Sequence, residues 1–149
     1  MKRRPYLRPL LGLWLTWLMA TACADVAIEV SDAWIREAPP TATVHAAYLT
    51  LHNPGSEAVV IDSVSSPDFA GAEIHRSLIE DGIARMLPVT RLELAAGERL
   101  ELAPGGYHLM LFDAQRPLQA GASVSLLLHL ADGHCIRVDA PVRRVTGTD

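Results

Sequence analysis

Methionine and histidine are the side chains of this sequence with the clearest capacity for metal chemistry. The chain of 149 residues contains four methionines, of which Met1 and Met19 lie in the N-terminal leader described below. The other two, Met86 and Met110, each lie near a histidine in the predicted strand map. A core that used methionine as filler would scatter several of them, so this arrangement points to a role for the two thioethers.

His108 and Met110 are two residues apart in Tyr107–Phe112, a segment that alternates like a β-strand. Alternation puts both side chains on one face of the strand, while Leu109 and Leu111 point to the other face and supply a core. We therefore expect His108 and Met110 to face outward or toward a loop.

His75 and Met86 lie on either side of the turn segment Glu80-Asp81-Gly82. A four-residue loop at Ile79–Gly82 would place the two residues directly opposite each other, and a shorter loop would shift them by one or two positions. The sequence leaves this register open. In each register the two side chains are close enough to converge, provided that they share a face.

Two imidazoles and two thioethers form a donor set with a definite preference among metals. Thioether sulfur is soft and uncharged, and it favours Cu(I) over Zn(II), Ca(II) or Mg(II). Imidazole binds only in its neutral form, so binding should weaken in acid. A blue-copper centre would need a cysteine ligand, and a catalytic zinc centre would use a constellation such as three histidines. A site built from these donors would lack a thiolate, so copper could be passed on by ligand exchange, although a lone His-x-Met pair is by itself weak evidence for metal binding.

The elements that must position these residues are short strands separated by turn signals, with no convincing amphipathic helix. Such regular spacing predicts an antiparallel β-sandwich or barrel. The candidate strands are Val26–Val30, Ala33–Arg36, His45–His52, Ala58–Val64, Glu73–Ile79, Ile83–Leu87, Arg91–Leu94, Arg99–Leu102, Tyr107–Phe112, Ser123–Leu130 and Cys135–Val142.

Residues 1–24 have the features of a signal peptide, followed by a single domain at residues 25–149. The leader begins with basic residues, continues with the apolar run Leu10–Ala20 and ends with the small residues of Ala22-Cys23-Ala24. This apolar run is shorter than the roughly 20 residues that a membrane-spanning helix needs. The residues before Cys23 are a poor match to a lipoprotein box, so lipidation at Cys23 stays open as an alternative.

Charge and cysteine content narrow the function further. Removal of the leader takes four of the 13 basic residues and none of the 17 acidic residues, which leaves a net charge of −8. A domain this acidic is a poor candidate for binding nucleic acid, which depends on Lys and Arg contacts to phosphate. After cleavage Cys135 would be the one remaining cysteine, so we expect an ordinary strand residue and no disulfide framework.

Taken together, the four candidate ligands form the pattern His75-x10-Met86-x21-His108-x-Met110. This spacing resembles the copper-binding signature of the PCuAC family of periplasmic copper chaperones. Three further stretches extend the likeness over nearly all of residues 26–143, and they are Asp32–Arg36, Ala46–Asn53 and Pro104–Leu111.

The resemblance implies a cupredoxin-like antiparallel β-sandwich with Greek-key connections and one exposed Cu(I) site at His75, Met86, His108 and Met110. It also implies a periplasmic, non-enzymatic carrier that delivers copper to a receiving protein, such as cytochrome c oxidase subunit II with its CuA centre or a Sco-type thiol protein. We expect a monomer with no membrane span and no nucleic-acid partner.

The sequence departs from the family pattern at two places. Arg76 and Ser77 stand where family members often carry a further methionine after the first histidine. Some relatives also have a tail rich in histidine and methionine that binds a second copper. This chain ends at residues 143–149 without either residue type, so a single site is expected.

Three other functions compete with the carrier. The domain could be a cell-envelope β-sandwich interaction module in which the His/Met cluster is incidental, or a copper-sequestration or tolerance protein. A copper-dependent oxidoreductase is disfavoured because four protein ligands leave no obvious open position for a substrate.

Overall fold

The computed structural model describes residues 28–145, and this part of the chain forms ten strands and no helix. The predicted signal peptide at residues 1–24 lies outside the described residues. The strands are β1 (Glu29–Arg36), β2 (Val44–His52), β3 (Val59–Ser65), β4 (Phe69–Glu80), β5 (Ile83–Pro88), β6 (Leu92–Leu94), β7 (Arg99–Leu102), β8 (Tyr107–Ala114), β9 (Ser123–Leu130) and β10 (Cys135–Arg143).

The observed strands agree with the predicted ones except near their ends and at the start of the domain. There one strand, β1, contains Glu29 and Val30 of the first candidate and all of the second, Ala33–Arg36, while residues 26 and 27 lie outside the described range. Its pairing with β2 shifts register between Ser31 and Trp34, and Asp32 has a left-handed φ of 54°. An irregularity of this kind interrupts the alternation of side chains, which is why the sequence pattern divided the strand into two.

Nine strands form one hydrogen-bonded path in the order β5-β4-β8-β2-β1-β10-β9-β3-β6, and β7 pairs with β2. The pairs are antiparallel except for β1 and β10, in which Ile35 lies opposite Val142 in a parallel ladder. This parallel pair joins β1, near the start of the domain, to β10, the last strand of the domain. Because the two strands are far apart in the chain, no local turn signal in the sequence predicts their pairing. The all-β architecture predicted from the sequence is confirmed.

One hydrophobic core receives side chains from both halves of this path. Leu49 of β2 and Leu109 of β8 are buried in it, together with Leu126 and Leu128 of β9. Strand β2 is covered on both faces, because five consecutive residues, 47–51, are buried. A central strand that is covered on both sides gives the neighbouring strand β8 a rigid support.

The β4–β5 hairpin closes with a two-residue loop, Asp81-Gly82. Both residues have positive φ angles, 52° and 76°, as the tight turns that match the twist of antiparallel strands require. Glu80 therefore lies opposite Ile83. Of the registers that the sequence left open, the structure has the one with the short loop, and not the four-residue loop at Ile79–Gly82.

Cys135 corrects one expectation from the sequence. It takes part in a disulfide bond, although it was expected to be an ordinary strand residue outside any disulfide. The expectation considered only the chain left after cleavage at residue 24, in which Cys135 has no second cysteine to pair with. Cys135 is the one cysteine within residues 28–145.

Candidate metal centre

Strands β4 and β8 bring the two predicted histidine ligands together. His75 lies directly opposite His108 in this antiparallel pair, and the centroids of the two rings are 6.1 Å apart. Glu73 lies opposite Met110 on the same strands. Because side chains two residues apart share a face, His75, His108, Glu73 and Met110 all project from one face of the sheet.

Met86 joins this face from the neighbouring edge strand. It pairs with Ser77, which is two residues beyond His75 on β4, so Met86 projects from the same face as His75 and is its diagonal neighbour. The Met86 side chain is largely open to solvent, with 52% of its surface exposed, whereas Met110 is half-buried. Neither sulfur therefore belongs to a residue that is buried in the core.

The tautomer of His108 follows from its hydrogen bond. Its Nδ1 lies 3.1 Å from the backbone carbonyl oxygen of Gly106, which can only accept, so Nδ1 carries the proton. Nε2 then keeps its lone pair and is the atom available to a metal. A backbone carbonyl that holds the far ring nitrogen in this way orients a metal-binding imidazole and raises its basicity. His108 is only 6% exposed, so it is more covered than the sequence led us to expect.

His75 shows the complementary arrangement. Its Nε2 lies 2.8 Å from the carboxylate of Glu73, which accepts the hydrogen bond, so Nδ1 is the nitrogen with the lone pair. This Nδ1 is buried and has no hydrogen-bond partner. A buried polar atom without a partner costs about 1–3 kcal/mol, and a bound metal ion would remove that cost.

The donor set fits a soft monovalent ion. Two imidazole nitrogens and two thioether sulfurs are all neutral, and they suit Cu(I) better than Zn(II), Mg(II) or Ca(II). Within residues 28–145 no group of three or more His, Cys, Asp and Glu side chains is arranged to hold a metal ion. A hard divalent ion therefore has no alternative site of that kind in the described part of the chain.

A cleft of about 360 Å³ opens beside the four residues. Met86, His108 and Met110 line it, whereas His75 does not. The other lining side chains include Arg36, Ala46 and Tyr48 on strands β1 and β2. The cleft gives a route from solvent to both sulfurs.

Sequence reasoning missed the residues around the ligands. Nothing in the pattern identified Glu73 as the partner of His75 or Gly106 as the partner of His108. The alternation that joined His108 to Met110 also places Glu73 on the face of His75, and a search for carboxylates two residues from each candidate ligand would have found it.

Among the remaining histidines, His45 has a buried Nδ1 without a hydrogen-bond partner in the described residues, and it lines the same cleft as Met86 and Met110. His45 is buried with its ring edge toward Phe69, and burial lowers its pKa. The other three each contact a polar neighbour, in the pairs His52 with Glu29, His129 with Ser65 and His134 with Asp132.

The fold and this site define a class of protein, an all-β domain with two histidines and two methionines on one face of its sheet. Residues 28–142 match the family model LpqE-like, which is described as "Putative lipoprotein LpqE-like". The chain belongs to this family, which is the family of PCuAC domains. The resemblance seen in the sequence is therefore confirmed.

Individual relatives agree with this membership. A protein of Leifsonia xyli subsp. xyli, "Putative lipoprotein Lxx21020", is 31% identical over 123 residues, which are 82% of this chain and 73% of the relative. The solution structure of CuI-DR1885 from Deinococcus radiodurans is 27% identical and has a TM-score of 0.60, with 83% of each chain covered.

The copper-bound PCuAC domain from PmoF2 has a TM-score of 0.68 at 21% identity, and the match covers 82% of this chain and 97% of that domain. At this level of identity the likeness shows a shared fold. It confirms the predicted cupredoxin-like β-sandwich. Within residues 28–145, the structure contains no helix that is long and apolar enough to cross a membrane.

Proposed function

We propose that this protein is a copper(I) chaperone that binds one Cu(I) through His75, Met86, His108 and Met110 and passes it to a protein partner. The observation that carries the proposal is the direct cross-strand pairing of His75 with His108 on the face that also presents both sulfurs. Four donors from three strands, far apart in the chain, share one patch of the sheet.

The chemistry of the donors suits a carrier better than a permanent metal site. All four are neutral, so no thiolate charge locks the ion in place. Met86 is exposed, and its thioether is the donor that an incoming ligand displaces first. Four protein donors leave no open position for a substrate, so the proposal is a carrier and not a catalyst.

The relatives support the choice of metal. CuI-DR1885 and the PmoF2 domain are copper-bound in their solved structures, and both share most of their length with this chain. Export rests on the predicted signal peptide at residues 1–24 and on the lipoprotein relatives. We propose the periplasm as the location, with one domain at residues 25–149. Delivery to the CuA centre of cytochrome c oxidase or to a Sco-type protein rests on the family resemblance.

The test is a Cu(I) titration of the purified domain against a chromophoric chelator, with ascorbate as the reductant so that no thiol competes. We expect one equivalent of Cu(I) per chain to be withheld from the chelator. Met86→Ala and Met110→Ala should each weaken this competition by at least tenfold, since a ligand is lost.

Leu87→Ala is the matched control. Leu87 is exposed like Met86 and adjacent to it on β5, but its side chain projects from the opposite face of the hairpin. Its replacement should leave the titration unchanged. No competition by the wild-type domain would support the cell-envelope interaction module instead. Tight binding without transfer to any thiol acceptor would support copper sequestration.

A further inference from the structure

Ala46, a residue with a short side chain, lies at the base of the cleft beside the proposed metal ligands. Ala46 lies opposite Met110 in the β2–β8 pair. Ile35 pairs with Ala47, so Arg36, the next residue of β1, lies beside Ala46 on its other side. Arg36, Ala46, Met110 and Glu73 thus form one row across four neighbouring strands, and the short side chain of Ala46 leaves an opening between the guanidinium and the sulfur.

Within residues 28–145, Arg36 is a cation without an ionic partner at this opening. In the described part of the chain no carboxylate lies within 4.0 Å of its nitrogen atoms, whereas Arg85, Arg116, Arg137 and Arg144 each have one. The carboxylate in the same row, Glu73, is occupied by His75. None of the described carboxylates therefore competes with an anion that enters the cleft for this guanidinium.

The walls of the cleft suit a polypeptide segment. Tyr48 stacks against Trp34 with 4.7 Å between ring centroids, and Tyr48, Val44 and Pro104 line the cleft with apolar surface. A segment that lies there reaches Met86, His108 and Met110, but not His75, because His75 does not line the cleft.

We propose that this cleft is the docking site for an extended loop of the copper-receiving protein, and that Arg36 binds a carboxylate next to that loop's thiol donors. The proposal rests on the proposed function. In the transfer step the Cu–S bonds to Met110 and Met86 and the Cu–N bonds to His75 and His108 break as two Cu–S bonds to the acceptor thiolates form. Copper stays Cu(I) throughout, and each thiol that binds releases its proton to solvent.

The charge of Arg36 and its position near the two sulfurs favour a thiol-bearing loop of the receiving protein over a bilayer surface or a second copy of this chain. An anionic group is complementary to Arg36, and soft thiol donors are complementary to the ion held by the two sulfurs. The opening is a cleft of about 360 Å³ rather than a broad apolar face, which suits a loop better than a bilayer surface or a second copy of the chain.

The test measures Cu(I) transfer from the loaded wild-type domain to two synthetic dithiol peptides that differ only in their flanking residues, aspartates in one and asparagines in the other. The ratio of the two transfer rates is compared in the wild type, in Arg36→Gln and in Arg99→Gln. Arg99 is an equivalent control because it lies opposite His52 on β2, six residues or about 20 Å from Ala46.

We expect Arg36→Gln to lower the aspartate-to-asparagine rate ratio by about threefold, as the loss of one exposed charge pair predicts, with the Cu(I) affinity unchanged. Arg99→Gln should keep the wild-type ratio. Ala46→Leu fills the opening, so it should slow transfer to both peptides by more than it changes Cu(I) affinity.

The outcomes separate the two proposals. A domain that does not bind Cu(I) overturns the proposed function, and with it this assignment. A domain that binds and transfers Cu(I) with the same ratio in Arg36→Gln as in the wild type overturns the docking site alone. Arg36-dependent dimerisation, or Arg36-dependent binding to vesicles that contain anionic lipid, would assign the cleft to another occupant and would also overturn it.

Discussion

His75 and His108 are direct cross-strand partners, and one ring nitrogen of each makes a hydrogen bond. Glu73 accepts from Nε2 of His75, and the Gly106 carbonyl accepts from Nδ1 of His108. One histidine thus keeps its lone pair at Nδ1 and the other at Nε2. If these nitrogens bind Cu(I) as proposed, both rings already have the tautomer that binding needs, which would reduce the ordering cost of binding.

Glu73→Gln should weaken Cu(I) binding by about tenfold, because an amide supports the His75 tautomer less firmly than a carboxylate. The measurement is the competition with a chromophoric chelator. Glu93→Gln, an exposed carboxylate on β6 at the other end of the strand order, is the matched control and should have wild-type affinity. An unchanged affinity in Glu73→Gln would mean that the Glu73 contact does not support the ligand.

Copper loading should stabilise the folded domain. At a free Cu(I) concentration 100-fold above the dissociation constant, the gain in unfolding free energy is about 2.7 kcal/mol. Urea unfolding with and without Cu(I) measures it, and addition of a Cu(I) chelator should reverse it. Leu87→Ala should show the same gain, and Met86→Ala a smaller one at equal copper. An equal gain in Met86→Ala would exclude Met86 as a ligand.

Glycine-to-alanine changes at two positions should differ in their effect on the unfolding free energy. Gly82 has a φ of 76° in the β4–β5 turn, where a Cβ meets nothing within 4 Å but strains the backbone, so Gly82→Ala should lower the unfolding free energy by about 1 kcal/mol. Gly71 lies in β4 without a positive φ, and its new Cβ would make ordinary contact with Phe112 at 3.7 Å.

Gly71→Ala should therefore be neutral or raise the unfolding free energy by up to about 1 kcal/mol, since alanine restricts the unfolded chain. Urea unfolding of the copper-free domain measures both variants. Destabilisation of equal size at the two positions would contradict the assignment of a left-handed conformation at Gly82.

The contribution of the Asp68 carboxylate should appear in the pH dependence of the unfolding free energy. The Arg116 side chain donates to its carboxylate at 2.8 Å and Ser125 donates a backbone N–H, and these bonds lower the pKa of Asp68 despite partial burial. A lowered folded pKa means that the stabilisation is complete above the unfolded value near 3.8 and is lost as pH falls through the folded value.

Asp68→Asn should thus reduce the unfolding free energy by about 1 kcal/mol at pH 7, and this difference from the wild type should disappear at the acid end of the pH range. Unfolding by urea from pH 7 down to pH 2.5 measures the change. Asp62→Asn, an exposed carboxylate on β3, serves as the control with no such pH-dependent difference. A constant difference between Asp68→Asn and the wild type would contradict an ionic role.

Local features of the molecule could be predicted from the sequence because they depend on neighbouring residues. Alternation along β8 put His108 and Met110 on one face and Leu109 and Leu111 in the core, as the structure shows. Turn residues marked the strand ends, and the spacing of the four candidate ligands indicated the family. Where the β1 backbone is irregular at Asp32, the same period-two pattern divided one strand into two.

The tertiary structure alone decided how the strands align. The two-residue Asp81-Gly82 turn places Met86 opposite Ser77, and the β4–β8 register places His75 opposite His108. The contact between Glu73 and His75, the opening between Arg36 and Met110, and the parallel β1–β10 pair all depend on that alignment. The physical reason is that side-chain alternation is a property of one strand, whereas register depends on turn geometry and on core packing between segments that are distant in the chain.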